Sequence, residues 1–403
     1  MLNSPPGSRR RPPLILLIAV SAAGPLSLNI FVPSMPGIQR AFQTDYSTVQ
    51  LTLTLYLVGF AVAQLLYGPL SDRFGRRPAL LAGQGIYLAG SLLCLIAPGI
   101  GSLIAGRVVQ AVGACAGIVV ARAIIQDVYE REKSAAMLAY VHSAMAAAPM
   151  VGPSIGGLLE VWFGWQASFV LIAILAAGVL AASVFFLYET HWGEGQATGI
   201  ADMIVSFGHL LRRPVFCGHT FQVAFTSSVF FAFIGGVPYI MVDLMGRPPS
   251  EYGFYFMVIP AMFMMGSIVA GRFSARVGSD RMVTIGTLLA LAATGAEVTW
   301  NHLDLLTPVT LFGSMALAAL GAGMAQPNGM AGAVGVDPRR AGAASGLSGF
   351  LQMTVSAGVA AIVGTLLTDT ATPVVVVMFV SAGLALTSHQ VAMWATRWRH
   401  KYN

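Results

Sequence analysis

Apolar residues in this chain gather into long runs separated by short polar breaks. About 20 apolar residues in a helix span the hydrocarbon core of a bilayer. Runs near that length fall at 14–36, 48–69, 79–97, 102–124, 136–160 and 166–188. After a polar stretch they resume at 215–240, 252–271, 283–300, 308–330, 343–367 and 372–394. Strands are excluded, because an open strand cannot satisfy its backbone in lipid and barrel strands alternate over only about ten residues. The pattern predicts an all-α membrane protein with twelve transmembrane helices. The first run follows Arg9, Arg10 and Arg11 and could pass for a secretion signal, with Ser21-Ala22-Ala23 as its cleavage site. It continues through Leu26, Leu28, Ile30, Phe31 and Val32, which makes it a span.

Composition points to the same solvent. Of 403 residues, 56% are hydrophobic and 9% charged, where a soluble domain carries about 25% charged residues. The mean hydropathy is +0.75. Cys94, Cys115 and Cys217 sit inside apolar runs and read as small packing side chains. No metal-ligand spacing, disulfide framework or cofactor motif is visible. A net charge of +6 invites a nucleic-acid reading, but the placement of the charges argues otherwise. Of the 22 basic residues, 19 fall at the termini or in even-numbered loops, among them Arg73, Arg76, Arg77, Arg122, Arg131, Arg213, Arg272 and Arg340. Arg40 and Arg247 fall in odd-numbered loops, and Arg107 lies within a helix. The positive-inside rule then puts both termini in the cytoplasm of a bacterial inner membrane. The basicity needs no nucleic-acid partner.

The longest polar interruption, 189–213, holds Glu189, Gly193, Glu194, Gly195, Gly199 and Asp202. It reads as a cytoplasmic linker between two pseudo-symmetric six-helix bundles, 1–188 and 214–403. A faint repeat supports this division. Gly68-Pro-Leu-Ser-Asp-Arg-Phe-Gly75 follows the second run and Gly271-Arg-Phe-Ser-Ala-Arg-Val-Gly278 the eighth, with four of eight positions identical. Gly75 suits a tight turn and Gly68 close helix packing. Asp72 stands among Arg73, Arg76 and Arg77.

Gly68-Pro-Leu-Ser-Asp-Arg-Phe-Gly-Arg-Arg-Pro-Ala-Leu80 resembles the loop signature of the major facilitator superfamily. Arg107-Val-Val-Gln110-Ala-Val-Gly113 resembles its helix-four motif. Ala148-Pro-Met-Val-Gly152-Pro153-Ser-Ile-Gly156-Gly157 is similar to the antiporter motif of its drug exporters. Ser27-Leu-Asn29-Ile-Phe-Val-Pro-Ser-Met-Pro36, Arg122-Ala-Ile-Ile-Gln-Asp127-Val-Tyr129, Glu189-Thr190 and the stretch from Ala341 to Gln352 resemble the Bcr/CflA drug-resistance group. The resemblance implies a non-enzymatic secondary transporter exporting small amphipathic compounds in exchange for protons. It implies a conformational switch at Gly68, Asp72, Arg73, Gly75, Arg76, Arg77, Arg122 and Asp127, with Asp72 in a charge latch between the halves. It also implies an export-type hinge at Gly152, Pro153, Gly156 and Gly157.

The group commonly carries an aspartate in helix one where this chain has Asn29, which cannot titrate. The remaining candidates for proton coupling are Arg107, Glu160 and Glu297. Glu160 lies near Trp162 and Trp165, and Glu297 near Trp300, so both read as interfacial, solvated carboxylates. Arg107 sits about 8 Å deep at 1.5 Å per residue. It either snorkels outward or faces the inter-helix cavity beside Gln110. His142 and His219 could titrate near neutral pH.

A cavity for drug-like compounds is mostly apolar with a few placed polar groups. The substrate-site candidates are Asn29, Tyr56, Arg107, Gln110, His142, Met145, Phe221, Gln222, Phe225, Gln326 and Asn328. The expected partners are a small-molecule substrate, protons and the bilayer, and a monomer is expected. No nucleophile elbow, phosphate loop or appended soluble domain suggests an enzyme.

Overall fold

Every described secondary element is a helix. In hydrocarbon the backbone amides find no water and must bond within their own segment. The structure is a computed structural model and describes residues 12–129, 131–190, 200–367 and 369–402. Arg9, Arg10, Arg11, Gly193, Glu194, Gly195 and Gly199 lie outside the described residues, as do the side chains of Arg131, His142, Asp202, Arg399 and Lys401.

The first half of the chain forms α1 (Leu14–Ile30), α2 (Met35–Phe42), α3 (Tyr46–Phe74), α4 (Arg76–Leu95), α5 (Ile100–Val128), α6 (Arg131–Phe163) and α7 (Gln166–Phe186). A connecting helix α8 (Ile200–Leu211) leads to α9 (Pro214–Tyr239), α10 (Pro249–Phe256), α11 (Val258–Val277), α12 (Ser279–His302), α13 (Pro308–Gly335), α14 (Ala341–Leu366) and α15 (Thr372–Tyr402). Eleven spans are long and apolar enough to cross a bilayer. The 33-residue α6 completes twelve.

Two spans are broken where proline dictates. Pro33 and Pro36 lack amide protons and crowd the carbonyls of Asn29 and Val32, so the first span passes through a 3-10 turn at Val32–Ser34 before α2. Pro260 does the same to Phe256, where α10 gives way to α11.

The connector departs from the polar linker expected of it, because its second part is α8. Met203, Phe207 and Leu210 recur at helical spacing, and Leu210 is buried with Phe216, Ala344 and Leu347.

The repeat read in the sequence has a conformational counterpart. Gly75 and Gly278 adopt φ 96°, ψ 155° and φ 94°, ψ 138° between α3 and α4 and between α11 and α12. Side chains rarely adopt such angles. A Cβ at Gly75 would also lie 2.6 Å from a Glu189 carboxylate oxygen, whereas one at Gly278 would meet nothing within 4 Å. Gly75→Ala should therefore lower stability by about 1–3 kcal/mol from strain, plus the clash. Gly278→Ala should show the strain alone. Thermal unfolding of the two purified variants checks this, and equal effects would count against the Glu189 contact.

Gly68 does not pack as expected. A Cβ there would meet nothing within 4 Å, so close helix contact is not its role in this conformation.

Candidate functional site

The end of the bundle where α1 begins and α15 finishes is called the basic end below. In the first half, the polar side chains converge on Arg107, which is fully buried. It neither snorkels outward nor opens to the inter-helix space. The turn at Phe31 and the middle of α3 sandwich its guanidinium between aromatic faces. The guanidinium carbon lies 4.0 Å from the Phe31 ring centre and 4.3 Å from that of Tyr56. Nη1 donates to the Ser27 carbonyl at 3.0 Å and to Gln110 Oε1. Gln110 Nε2 in turn donates to Ser91 Oγ at 2.9 Å. The Tyr56 hydroxyl is held 3.0 Å from Ser27 Oγ. Among the described residues Arg107 has no acidic partner, and its Nε and Nη2 have no hydrogen-bond partner. A buried cation stabilised by ring quadrupoles and carbonyl dipoles, with donors to spare, suits an acceptor or anionic group.

Tyr56, Arg107 and Gln110 are thus brought together. Asn29, though buried, turns away. Its Nδ2 donates to the Pro25 carbonyl at 2.8 Å, its Oδ1 is unpartnered, and its Cβ packs against Gly152 of α6. Met145 packs into the core of the first half with Val20 and Leu16. Phe31, Ser27 and Ser91 escaped sequence reasoning as site residues, because what makes them neighbours of Arg107 is packing between separate helices.

A second polar cluster occupies the middle of the other half. Ser227 Oγ accepts from Gln326 Nε2 at 3.1 Å and from Gln352 Nε2 at 2.7 Å, joining α9, α13 and α14. Gln222 Nε2 donates to Thr226 Oγ1 at 3.1 Å, one turn along α9. Phe221 and Phe225 pair at 6.2 Å between ring centres and are half-buried. Phe233 belongs instead to an aromatic core with Phe256 and Phe312. Asn328 is buried and donates to the Met324 carbonyl. Ser227 and Gln352 were absent from the candidate set, although Gln352 closes a stretch that carried the family resemblance.

Among the described residues, the ion pairs at the basic end lie within each half. Arg76 Nε donates to Asp127 at 2.9 Å, and its Nη1 pairs with Asp72. Glu189 accepts the backbone N–H groups of Arg76 at 2.9 Å and Arg77 at 3.1 Å, capping α4 from the far end of α7. Arg73 lies over Phe74, 5.3 Å from its ring centre, and Arg122 is half-buried on α5. Arg213 and Arg340 both pair with Asp337. In this conformation Asp72 binds Arg76 rather than the opposite half. Glu189→Ala would leave two helix-terminal donors unsatisfied and should cost about 1–2 kcal/mol. Glu189→Gln, which keeps one acceptor oxygen, should cost less. Chemical or thermal unfolding distinguishes the two, and a neutral Ala variant would refute the cap.

At the opposite end the halves are pressed together. The Tyr46 hydroxyl donates to the Gly235 carbonyl at 3.1 Å, and Gln50 Nε2 donates to the Ala360 carbonyl at 2.7 Å. Ser154 Oγ donates to the Gly253 carbonyl at 2.7 Å. Arg40 and Asp243 pair at 3.2 Å. Here α6 meets α10 backbone to backbone. A Cβ at Gly253 would collide with the Pro153 carbonyl oxygen, and one at Gly157 would lie 2.6 Å from the Pro249 carbonyl oxygen. Gly152 and Gly156 face Ile30 of α1 in the same way. The glycines of α6 thus hold α1 on one side and α10 on the other. Contact between α3 and α14 extends inward to Gln64 and Gly349. Nearer the basic end, added Cβ atoms at Gly68, Gly342 and Gly346 would meet nothing within 4 Å.

Two carboxylates are not the solvated interfacial groups expected. Glu160 is tucked beneath Gly37, with Oε2 buried and unpartnered. Glu297 is fully buried, and neither of its oxygens has a hydrogen-bond partner. It shares the inward stripe of α12 with Ala290 and Ala293. That stripe, rather than the nearby Trp300, sets its environment.

Comparison with known proteins agrees with this architecture. Residues 17–361 match the family model described as Major Facilitator Superfamily. The chain is 32% identical over 386 residues to an uncharacterized MFS-type transporter, YdgK, of Bacillus subtilis (strain 168), covering 95% of each. It is 28% identical over 396 residues to multidrug resistance protein D of Escherichia coli (strain K12), covering 96% of this chain and 97% of that one. A bicyclomycin resistance protein homolog of Haemophilus influenzae is 28% identical over 371 residues, covering 91% of this chain and 92% of the relative. A solved bacterial homolog of the human lysosomal transporter Spinster, inward-facing and unoccupied, superposes with a TM-score of 0.75 at 15% identity, over 95% of this chain and 96% of that one. That last likeness is one of fold. Eleven apolar spans among the described residues, matched glycine turns and a family model covering most of the length make this a multi-pass membrane transporter, not an enzyme, and the chain belongs to the major facilitator superfamily.

Proposed function

We propose that this chain exports small amphipathic, drug-like compounds across a bacterial inner membrane by proton antiport. In this reading residues 1–188 and 214–403 are two bundles that rock about a central site, with the basic end and both termini in the cytoplasm. The carrying observation is the one-sided closure. Tyr46, Gln50, Ser154 and Arg40 bridge the halves at the end remote from the termini, while the ion pairs of the basic end stay within each half. The closed end then faces the periplasm. The half-buried Phe221 and Phe225 rings and the neutral amides of Gln326 and Gln352 in the second half suit amphiphiles better than sugars or phosphates. Relatives named for multidrug and bicyclomycin resistance support the substrate class.

Expression in a pump-deficient bacterium, with a compound panel that includes bicyclomycin and chloramphenicol, tests the reading. Raised tolerance to some members is the expected result. Unchanged susceptibility throughout, at verified expression, would remove it. A second reading is export of a neutral metabolite without proton coupling, and Asn29 favours it, since the titratable acid of the related group is missing there. It predicts liposome flux indifferent to an imposed pH gradient.

A further inference from the structure

One pair of buried titratable side chains lies outside both polar clusters. His219 on α9 and His389 on α15 face each other near the basic end, with ring centres 6.0 Å apart. His219 is 6% exposed and His389 fully buried. His389 Nε2 lies 3.1 Å from both the Asp280 carbonyl oxygen and Thr284 Oγ1 at the start of α12. That carbonyl can only accept, so Nε2 carries the hydrogen and Nδ1 keeps its lone pair. The Nδ1 atoms of both rings have no hydrogen-bond partner. A neutral buried imidazole with an idle nitrogen is a costly arrangement unless that nitrogen is used.

The surroundings suggest the use. Among the described residues, the charged or titratable groups that act on the rings are each other and Asp280 on α12, and Gly332 of α13 lies against His219. Gly332 and Gly329 of α13 abut His219 and Gln222 of α9, so these two side chains share one face, a turn apart. Gln222 then bonds Thr226, whose neighbour Ser227 holds Gln326 and Gln352. Polar side chains are thus spaced along α9 from the imidazole pair toward the middle of the second half, although no hydrogen bond joins His219 to Gln222.

We propose that His219 and His389 form a proton-binding site near the basic end. A hydronium ion gives its proton to the lone pair of one Nδ1, leaving a water molecule, and a water molecule later takes that proton away as hydronium. Two imidazolium charges 6.0 Å apart would repel strongly in this low-dielectric setting, so the pair holds a single proton. The role as the cytoplasmic exit of an antiport cycle rests on the function proposed above.

Solid-state nitrogen NMR of the full-length protein in liposomes, labelled in its histidine rings, tests the site. The expected result is one shared protonation between about pH 5.5 and 8, the range in which imidazole titrates. It should disappear in His219→Gln and His389→Gln, each variant also shifting the partner ring. Both rings remaining neutral across that range in the wild type would overturn the proposal, even if neither variant folds. So would a folded double variant with unchanged titration. Liposome flux under a pH gradient separates the two readings. Titrating rings with gradient-indifferent flux would leave the site standing and remove antiport. Gradient-driven flux that survives in the double variant would leave antiport standing and remove the site's exit role.

Discussion

Gly253→Leu should reduce transport about 100-fold or more while leaving the chain folded. Gly253 is where α10 meets α6 across the two halves, and the atom in the way of any added Cβ is the Pro153 main-chain oxygen. A backbone carbonyl inside a helix cannot swing aside as a side chain can. Forcing a leucine into such a contact costs about 3 kcal/mol or more. The cost falls on the conformation shown here, because the contact exists only when the halves meet at that end. At about 1.4 kcal/mol per factor of ten, the closed population falls about 100-fold. Flux in liposomes measures the loss, and thiol labelling of Ser154→Cys from the periplasmic side measures the opening. Wild-type flux with an unlabelled thiol would refute the closure. Gly157→Leu should behave in the same way, since its obstacle is the Pro249 carbonyl oxygen at 2.6 Å from the added Cβ.

Arg107→Ala should weaken substrate binding about 10- to 100-fold, and Arg107→Lys should not restore it. Truncation removes the guanidinium held between Phe31 and Tyr56 and strips the Ser27 carbonyl and Gln110 Oε1 of their donor. Unpaired buried acceptors cost about 1–3 kcal/mol each. In the substrate-binding role expected of Arg107, which requires a conformation that uncovers it, loss of a charge-assisted contact would add about 1.5–3 kcal/mol. Affinity should fall about 10- to 100-fold from that contact alone. Lysine keeps the charge but has no planar fork to lie flat between two rings while reaching two acceptors. Ligand-induced thermal shift checks both variants. A lysine variant that binds like wild type would mean that charge alone matters and that the aromatic sandwich does not.

Much of the architecture was legible because lipid imposes simple rules. Spans declare themselves by length, and the loop glycines by their place in a repeat, as Gly75 and Gly278 did. Pro33, Pro36 and Pro260 carried the breaks within the first and eighth spans, although apolar run length alone passed over them. The site was legible only in part. Gln110 lies three residues from Arg107, and that spacing predicts contact on one helix. Phe31 and Tyr56 reach the guanidinium, and Ser91 reaches Gln110, from three other segments, and no local spacing encodes that. Glu297 misled because Trp300 marks an interface along the membrane normal, whereas burial depends on which way around the helix a side chain points. The latch expected of Asp72 between the halves is not seen here, where Arg76 holds it.

The seam between α6 and α10 is built from glycines, with carbonyl oxygens of one strand of backbone lodged against the alpha carbons of the other. Such a join leaves no room at Gly157 or Gly253 for even a methyl group, so backbone packs directly on backbone there. A carrier sealed this way can rest in an energised membrane without short-circuiting the ion gradients on which the cell depends.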